Sequence, residues 1–284
     1  MKKLFALLLA FTMSLSLVAC GGNDAAEEAP AEDTATEETT PESDAAYIEG
    51  NGKLVVGITI YEPMNYYDEA GNLTGFDTEF AQAVCDKMGL EAEFQEINWD
   101  TKEIELAGKT IDCIWNGMTI TPDRTANMSI SLPYVKNAQV IVVKADSAYA
   151  STADLVDATL VAEVGSAGEA QIEGEEANAD LAQAEYVGMS KQTDCLMEVK
   201  AGTADAAVLD WTLAKSMGGE GTDFADLKMM EGVELATEEY GIAFRQGSDF
   251  TAKVDEAVKA LVADGTLPAL AEKYGLALAP AIAG

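Results

Sequence analysis

The amino-acid sequence predicts an α/β protein of two lobes. Three observations carry this expectation. Strand-like and helix-like stretches alternate along the chain, the alternation restarts near residue 138, and the 238 residues from Tyr47 to Gly284 suffice for two domains of ordinary size. Alternation of this kind favours a mostly parallel sheet with covering helices in each lobe.

The chain opens MKKLFALLLAFTMSLSLVAC. Two lysines precede an uncharged run from Leu4 to Ala19 that ends in small residues, which describes a secretory signal peptide over 1–19. The run is too short and wrongly flanked for a membrane span. The L-V-A-C ending resembles the lipobox of bacterial lipoproteins, which implies that Cys20 is lipidated and becomes the first mature residue. From Gly21 to Ala46 no lysine, arginine, aromatic or branched aliphatic residue occurs, and nine acids lie between Asp24 and Asp44. Such a segment buries too little apolar surface to offset its backbone entropy, so 20–46 is expected as a lipidated cysteine followed by a disordered acidic tether.

The folded elements follow in order. LVVGI (54–58) is a short apolar strand, and FDTEFAQAVCDKMG places Phe76, Phe80, Ala83, Val84 and Met88 on one helical face, with Gly89 as the terminating cap. Strands are expected at 92–97 and 111–116, with a helical segment around Lys102 to Leu106 between them. The second series begins with AQVIVVK (138–144). Strands at 159–163, 184–187 and 205–210 follow, and helices lie between them, one after Gly165 and one from a Ser190 cap to Gly202. YGIAF (240–244) is a late strand, and FTAKVDEAVKALVADG and LPALAEKYG form two closing helices.

Composition excludes several functions. Fifty acidic side chains against 17 basic ones leave no clustered positive surface for nucleic acid. The chain has no histidine, and Cys85, Cys113 and Cys195 are widely spaced, so the usual zinc, Cys-His and Ser-His arrangements are ruled out by inventory. Cys85 and Cys113 sit in apolar patterns and read as buried small hydrophobes. LAGKT (106–110) imitates the end of a phosphate-binding loop, but Glu103 stands where its first glycine belongs and the segment precedes a strand. Nothing in the sequence calls for a cofactor.

In CIWNGMTITPDR, Thr121, Pro122 and Arg124 read as N-cap, N1 and N3 of a helix. A cation in a first helical turn is disfavoured unless an anion is near. Asp123 is one such anion; the other reading is that N–H groups after Asn116, the Thr119 hydroxyl and Arg124 converge on a small carboxylate. Asp210 ends the strand DAAVLD, where it either faces a cleft or caps the next helix. A carboxylate receptor on one lobe and an ammonium receptor on the other describe the two poles of an α-amino acid.

GFDTEFAQAVCDKMG, IDCIWNGMTITPDR, the Gly165-Ser166 turn and ADAAVLD together resemble, in order and spacing, the polar amino acid family of extracellular solute-binding proteins that serve ABC importers. The resemblance runs from Leu54 to Tyr274. It implies a hinged, type II periplasmic-binding-protein fold, with 47–140 plus 241–284 as lobe 1 and 141–240 as lobe 2, closing over one amino acid. It further implies a monomer that hands its ligand to a membrane permease and its ATPase. By position, Tyr61 resembles the aromatic against the ligand and Trp99 the second wall. Asn116, Gly117, Thr119 and Arg124 match the first-lobe receptor, Ser166, Ala167 and Gly168 the second-lobe turn, and Asp210 the acid that takes the ammonium. Ala167 replaces a frequent hydroxyl. Glu163 stands where glutamine or an apolar residue is common, and is either a charge facing the ligand or a solvated strand end. An enzyme resembling the dehydratases that share this fold, with Glu163 as acid or base, and a sensory receptor module are the rival readings.

Overall fold

The computed structural model describes residues 43–284, apart from Glu176, Glu220 and Gly284. The expected signal peptide, Cys20 and the tether up to residue 42 lie outside the described residues. Residues 43–46, expected in the tether, belong to the fold. Helix α1 (Asp44–Asn51) starts at a Ser43 cap that accepts from Ala46 N, and it buries Ala45 and Ile48. Its anchors are remote in sequence: Arg245 Nε donates to Asp44 at 2.7 Å, and Asp249 accepts from Ala45 N at 2.8 Å. Local composition carried no trace of these partners.

Strand β1 (Lys53–Ile58) leads through a small hairpin, β2 (Tyr66–Tyr67) and β3 (Leu73–Thr74), into helix α2 (Phe76–Met88). Phe76, Phe80 and Val84 are buried along one face of α2, and Gly89 ends it in the left-handed conformation that its expected capping role requires. β4 (Glu91–Glu96), α3 (Lys102–Ala107), β5 (Cys113–Thr119), α4 (Pro122–Asn127) and β6 (Met128–Ile130) follow. The chain then runs through β7 (Val135–Lys144), β8 (Thr159–Glu163), α5 (Ala167–Glu173), β9 (Glu185–Met189), α6 (Gln192–Ala201), β10 (Ala206–Asp210) and α7 (Trp211–Met217). It closes with β11 (Leu227–Arg245), α8 (Phe250–Ala263) and α9 (Thr266–Tyr274). Lys191, not Ser190, is the N-cap of α6, and it makes no side-chain capping bond.

The main sheet runs β4-β1-β5-β11-β7-β10-β8-β9, with β6 beside β11. β4, β1 and β5 pair in parallel, as do β10, β8 and β9, while β11 and β7 lie antiparallel between the two trios. Each trio is the parallel half expected of one lobe, and the two long strands cross between them. The expected lobe limits at 140/141 and 240/241 fall inside these crossing strands. β11 has 19 residues, of which the sequence revealed only the last few. Its earlier part holds Gly232 at φ 71° and register shifts between Met229 and Glu234 and between Glu234 and Ala236, so bulges interrupt the alternation that marks a strand.

The main apolar interior is continuous across both halves. In the first, Phe80 meets Trp115 edge to face at 4.9 Å among Leu54, Phe76, Tyr134 and Phe244, and in the second it takes in Leu196, Leu209 and Leu213, while Ile141, Leu160, Ile172 and Val208 form a separate layer of the second half. Cys85 and Cys113 are free and buried, in keeping with their reading as small hydrophobes, and Cys195 is free and buried as well. The two halves bring the carboxyl ends of β5, β8 and β10 to one place, where open α/β sheets bind ligands.

Candidate functional site

On the first half, the wall begins where β5 ends. Asn116 is committed to scaffolding: its Nδ2 donates to Thr59 Oγ1 at 2.7 Å, and its Oδ1 accepts from Thr59 N at 2.9 Å and Asn65 Nδ2 at 2.8 Å. Gly117 has φ 57°, and a Cβ there would lie 2.5 Å from Cε1 of Tyr61. Only glycine allows this turn with the tyrosine ring packed on it. The Gly117 N–H donates to Asp77 Oδ2 at 2.7 Å and the Thr119 hydroxyl to Glu238 Oε1 at 2.8 Å, so neither is the free donor that the sequence suggested.

Thr121 caps α4 as expected, accepting from Arg124 N at 3.2 Å, with Pro122 following. Arg124 then turns inward. Its Nη1 donates to the Thr119 carbonyl at 2.7 Å and its Nη2 to the Gly165 carbonyl of the opposite half at 3.0 Å. It is only 9 % exposed, and its charge is addressed to Glu238, Asp210 and Glu103, while Asp123 is exposed. The pairing with Asp123 is therefore not the arrangement adopted. Lys102 Nζ, lying 4.7 Å from the centre of the Trp99 ring, donates to the same Gly165 carbonyl at 3.0 Å and to Trp99 O at 3.0 Å. Two buried cations of one half thus clasp one carbonyl of the other.

On the second half, Glu163 ends β8 and Asp210 ends β10. Ser166 caps α5 by accepting from Glu169 N at 3.1 Å, and Gly168 sits so close to β10 that a Cβ would meet Val208 O at 2.6 Å. Glu163 is 4 % exposed, which overturns its reading as a solvated strand end. Asp210 makes no side-chain capping bond to α7. Its carboxylate instead accepts from Asn137 Nδ2 at 2.5 Å, Gln139 Nε2 at 2.8 Å, Tyr240 Oη at 3.0 Å and Gln192 Nε2.

These groups line one shared cavity. Trp99, Asn116, Gly117, Thr119 and Arg124 line it from one half, and Glu163, Ser166, Ala167, Gln192 and Asp210 from the other. Tyr61 and Gly168 are the exceptions among the residues singled out in the sequence: Gly168 packs on β10, and Tyr61 stands behind Gly117, buried, with its hydroxyl bonded to Thr212 and, at 2.6 Å, to Tyr240. Its role here is to support the turn. Gln192, Lys102, Asn137, Gln139 and Glu238 escaped sequence reading. For Asn137 and Gln139 a signal existed, since two amides at alternate positions in an otherwise apolar strand must face something polar.

Burial sets the electrostatics. It lifts the Glu163 carboxyl to about 8, with Asp210 adding to the effect and Lys102 and Gln192 opposing it. Glu238 rises to about 7 through burial and the charge of Asp210, and Asp210 is itself raised by burial against its four hydrogen-bond donors. Burial also lowers Lys102 to about 8, helped by Arg124. The cavity therefore presents one strong cation and a crowd of acids whose hold on their protons burial strengthens.

Comparison with known proteins agrees with the fold. The chain is 29 % identical to the arginine-binding extracellular protein ArtP of Bacillus subtilis over 277 residues, covering 96 % of this chain and 98 % of the relative. Among solved structures, a mutant of ArgBP from T. maritima superposes with a TM-score of 0.74 at 32 % identity, covering 82 % of this chain and 99 % of that one. The ancestral amino acid-binding protein AncCDT-1, a precursor of cyclohexadienyl dehydratase, gives 0.73 at 30 % identity with the same coverage. The family model of the bacterial extracellular solute-binding proteins, family 3, matches residues 54–277, and the chain belongs to that family.

Proposed function

We propose that the protein is the substrate-binding component of an amino acid ABC importer and that its ligand is a cationic α-amino acid. The observation that carries this reading is that Arg124 from one half and Asp210 and Glu163 from the other line a single cavity. Arg124, already turned to the centre, takes the α-carboxylate in charge-assisted bonds. The start of α5 at Ser166 and Ala167 borders the same space. Asp210 takes the α-ammonium. Glu163 is then left to face the side chain, and a buried acid is best matched there by a guanidinium or ammonium. The arginine-binding relative supports the same ligand class.

Ligand contacts on both halves favour the closed arrangement, which a permease reads before ATP-driven transport by its partner subunit. On this reading the signal sequence exports the chain, Cys20 carries the lipid and the acidic segment links the lipid to the fold on the outer face of the membrane. The protein works as a monomer and performs no chemistry on its ligand. Calorimetric titration with the standard amino acids tests the proposal. Arginine or lysine should bind and glutamate should not; a protein that binds no amino acid would end it.

One observation favours a second reading. A buried acid near 8, on a scaffold shared with a dehydratase precursor, has the protonation expected of a general acid. Turnover of a cyclohexadienyl substrate, abolished by Glu163→Gln, would select that reading instead.

A further inference from the structure

Two carboxylates flank β7 on one face of the sheet. Asp210 on β10 lies opposite Gln139 in register, and Glu238 on β11 lies opposite Asn137. Asn137 and Gln139 are two residues apart on one strand, so their side chains share a face and stand between the acids. Each amide forks its two N–H groups over both carboxylates: Asn137 Nδ2 reaches Asp210 Oδ1 at 2.5 Å and Glu238 Oε1 at 2.6 Å, and Gln139 Nε2 reaches the same atoms at 2.8 and 2.9 Å. Asn137 Oδ1 is taken by Thr212 N, which fixes the orientation of that amide. Tyr240 and Gln192 complete the donors on Asp210, and Thr119 those on Glu238.

Two acids gathered on the same two nitrogens repel each other when both are ionised, and one proton between them removes the repulsion. The other charged and titratable groups facing the pair are Glu163 at the end of β8, Arg124 on α4, Tyr61 after β1 and Tyr240 on β11. Glu163 adds to the crowding and Arg124 relieves it in part. Arg124 is addressed to Glu238 and Asp210 alike, so a ligand carboxylate that engages it weakens its hold on the acids.

We propose that Asp210 and Glu238 form one proton-sharing ammonium receptor, in which the ligand's cation replaces the shared proton and Glu238 acts as a positioning residue for Asp210. The displaced proton passes to solvent, the ligand keeps all its own protons, and the pair changes from one negative charge to two as one positive charge arrives. Binding is thereby linked to pH: affinity rises as pH rises, and acidification favours release. Closure of the halves is tied to the same event, because Glu238 holds Thr119 on one half while its shared amides hold Asp210 on the other.

This inference rests on the amino acid reading of the cavity. The test is calorimetric titration of the protein with L-arginine near pH 6 in buffers of different ionisation enthalpy, which counts the protons released. Glu163 also faces the cavity, so the decisive number is the difference between wild type and Glu238→Gln, expected to be close to one proton per ligand. Unchanged release in Glu238→Gln would overturn the proposal. Should that variant not fold, Glu163→Gln decides: its arginine affinity should still climb by up to tenfold per pH unit between about 5 and 7, and a flat profile would overturn the pairing. If arginine and the other standard amino acids fail to bind wild type at all, the reading of the cavity falls and this inference with it. Binding without the proton difference removes this inference alone.

Discussion

The two walls of the cavity neutralise their charges in opposite ways. Around Arg124 the partners are neutral dipoles, the carbonyls of Thr119 and Gly165, so the guanidinium stays charged at any pH the protein meets. Around Asp210 stand two more acids, Glu163 and Glu238, with amides and hydroxyls as the nearest donors, so proton uptake competes with ligand. On the proposed function, an anion receptor thus faces a cation receptor whose strength depends on protonation. On the same proposal the first gives affinity that pH leaves alone, and the second makes capture sensitive to it.

The comparison breaks most easily at the anion receptor. Arg124→Ala should weaken amino acid binding by about 2–5 kcal/mol, because a ligand carboxylate would be enclosed without its partner, and titration calorimetry near pH 7 reads the loss. Asp210→Asn should cost about 2–4 kcal/mol for ligands with a free α-amine. It should cost much less for N-acetylated ligands, and an equal loss for both would return Asp210 to a purely structural role. Lys102→Met removes one of the two cations on the Gly165 carbonyl and should raise the ligand dissociation rate by an amount equivalent to about 1.5–3 kcal/mol in stopped-flow measurements. Its association rate should change little.

Glu163→Gln sharpens the contrast through stability. The folded protein holds the Glu163 proton to about 8, against an ordinary value of 4.5, so the folded state binds more protons than the unfolded one between those limits. Stability contributed by protonated Glu163 is therefore present below about 4.5 and is lost as pH rises to about 8, by up to ~1.4 kcal/mol per pH unit. Denaturant unfolding of ligand-free Glu163→Gln should show a correspondingly flatter decline across this window. An unchanged profile would mean that Glu163 does not hold its proton.

Much of the fold was legible because periodicity and caps are local. The face of α2, its Gly89 stop, the Thr121-Pro122 start of α4 and the apolar runs of β1 and β8 needed only neighbours in sequence. Residues 43–46 and most of β11 were not legible, since α1 is held by Arg245 and Asp249 some 200 residues away and the bulges of β11 conceal its period.

For the site, the sequence by itself singled out Arg124, as a cation in the first turn of α4, and Asp210, at the carboxyl end of a strand, while Glu163 and Ser166 came only by position from the family resemblance. Which polar groups were already spent was decided only by the tertiary structure. Asn116 and the Gly117 N–H turned out to serve the scaffold, Tyr61 to back a turn, and Asn137, Gln139 and Glu238 to gather around Asp210. A hydrogen bond between strands depends on register and crossing. A protonation state depends on burial, and both are properties of the assembled sheet rather than of any stretch of chain.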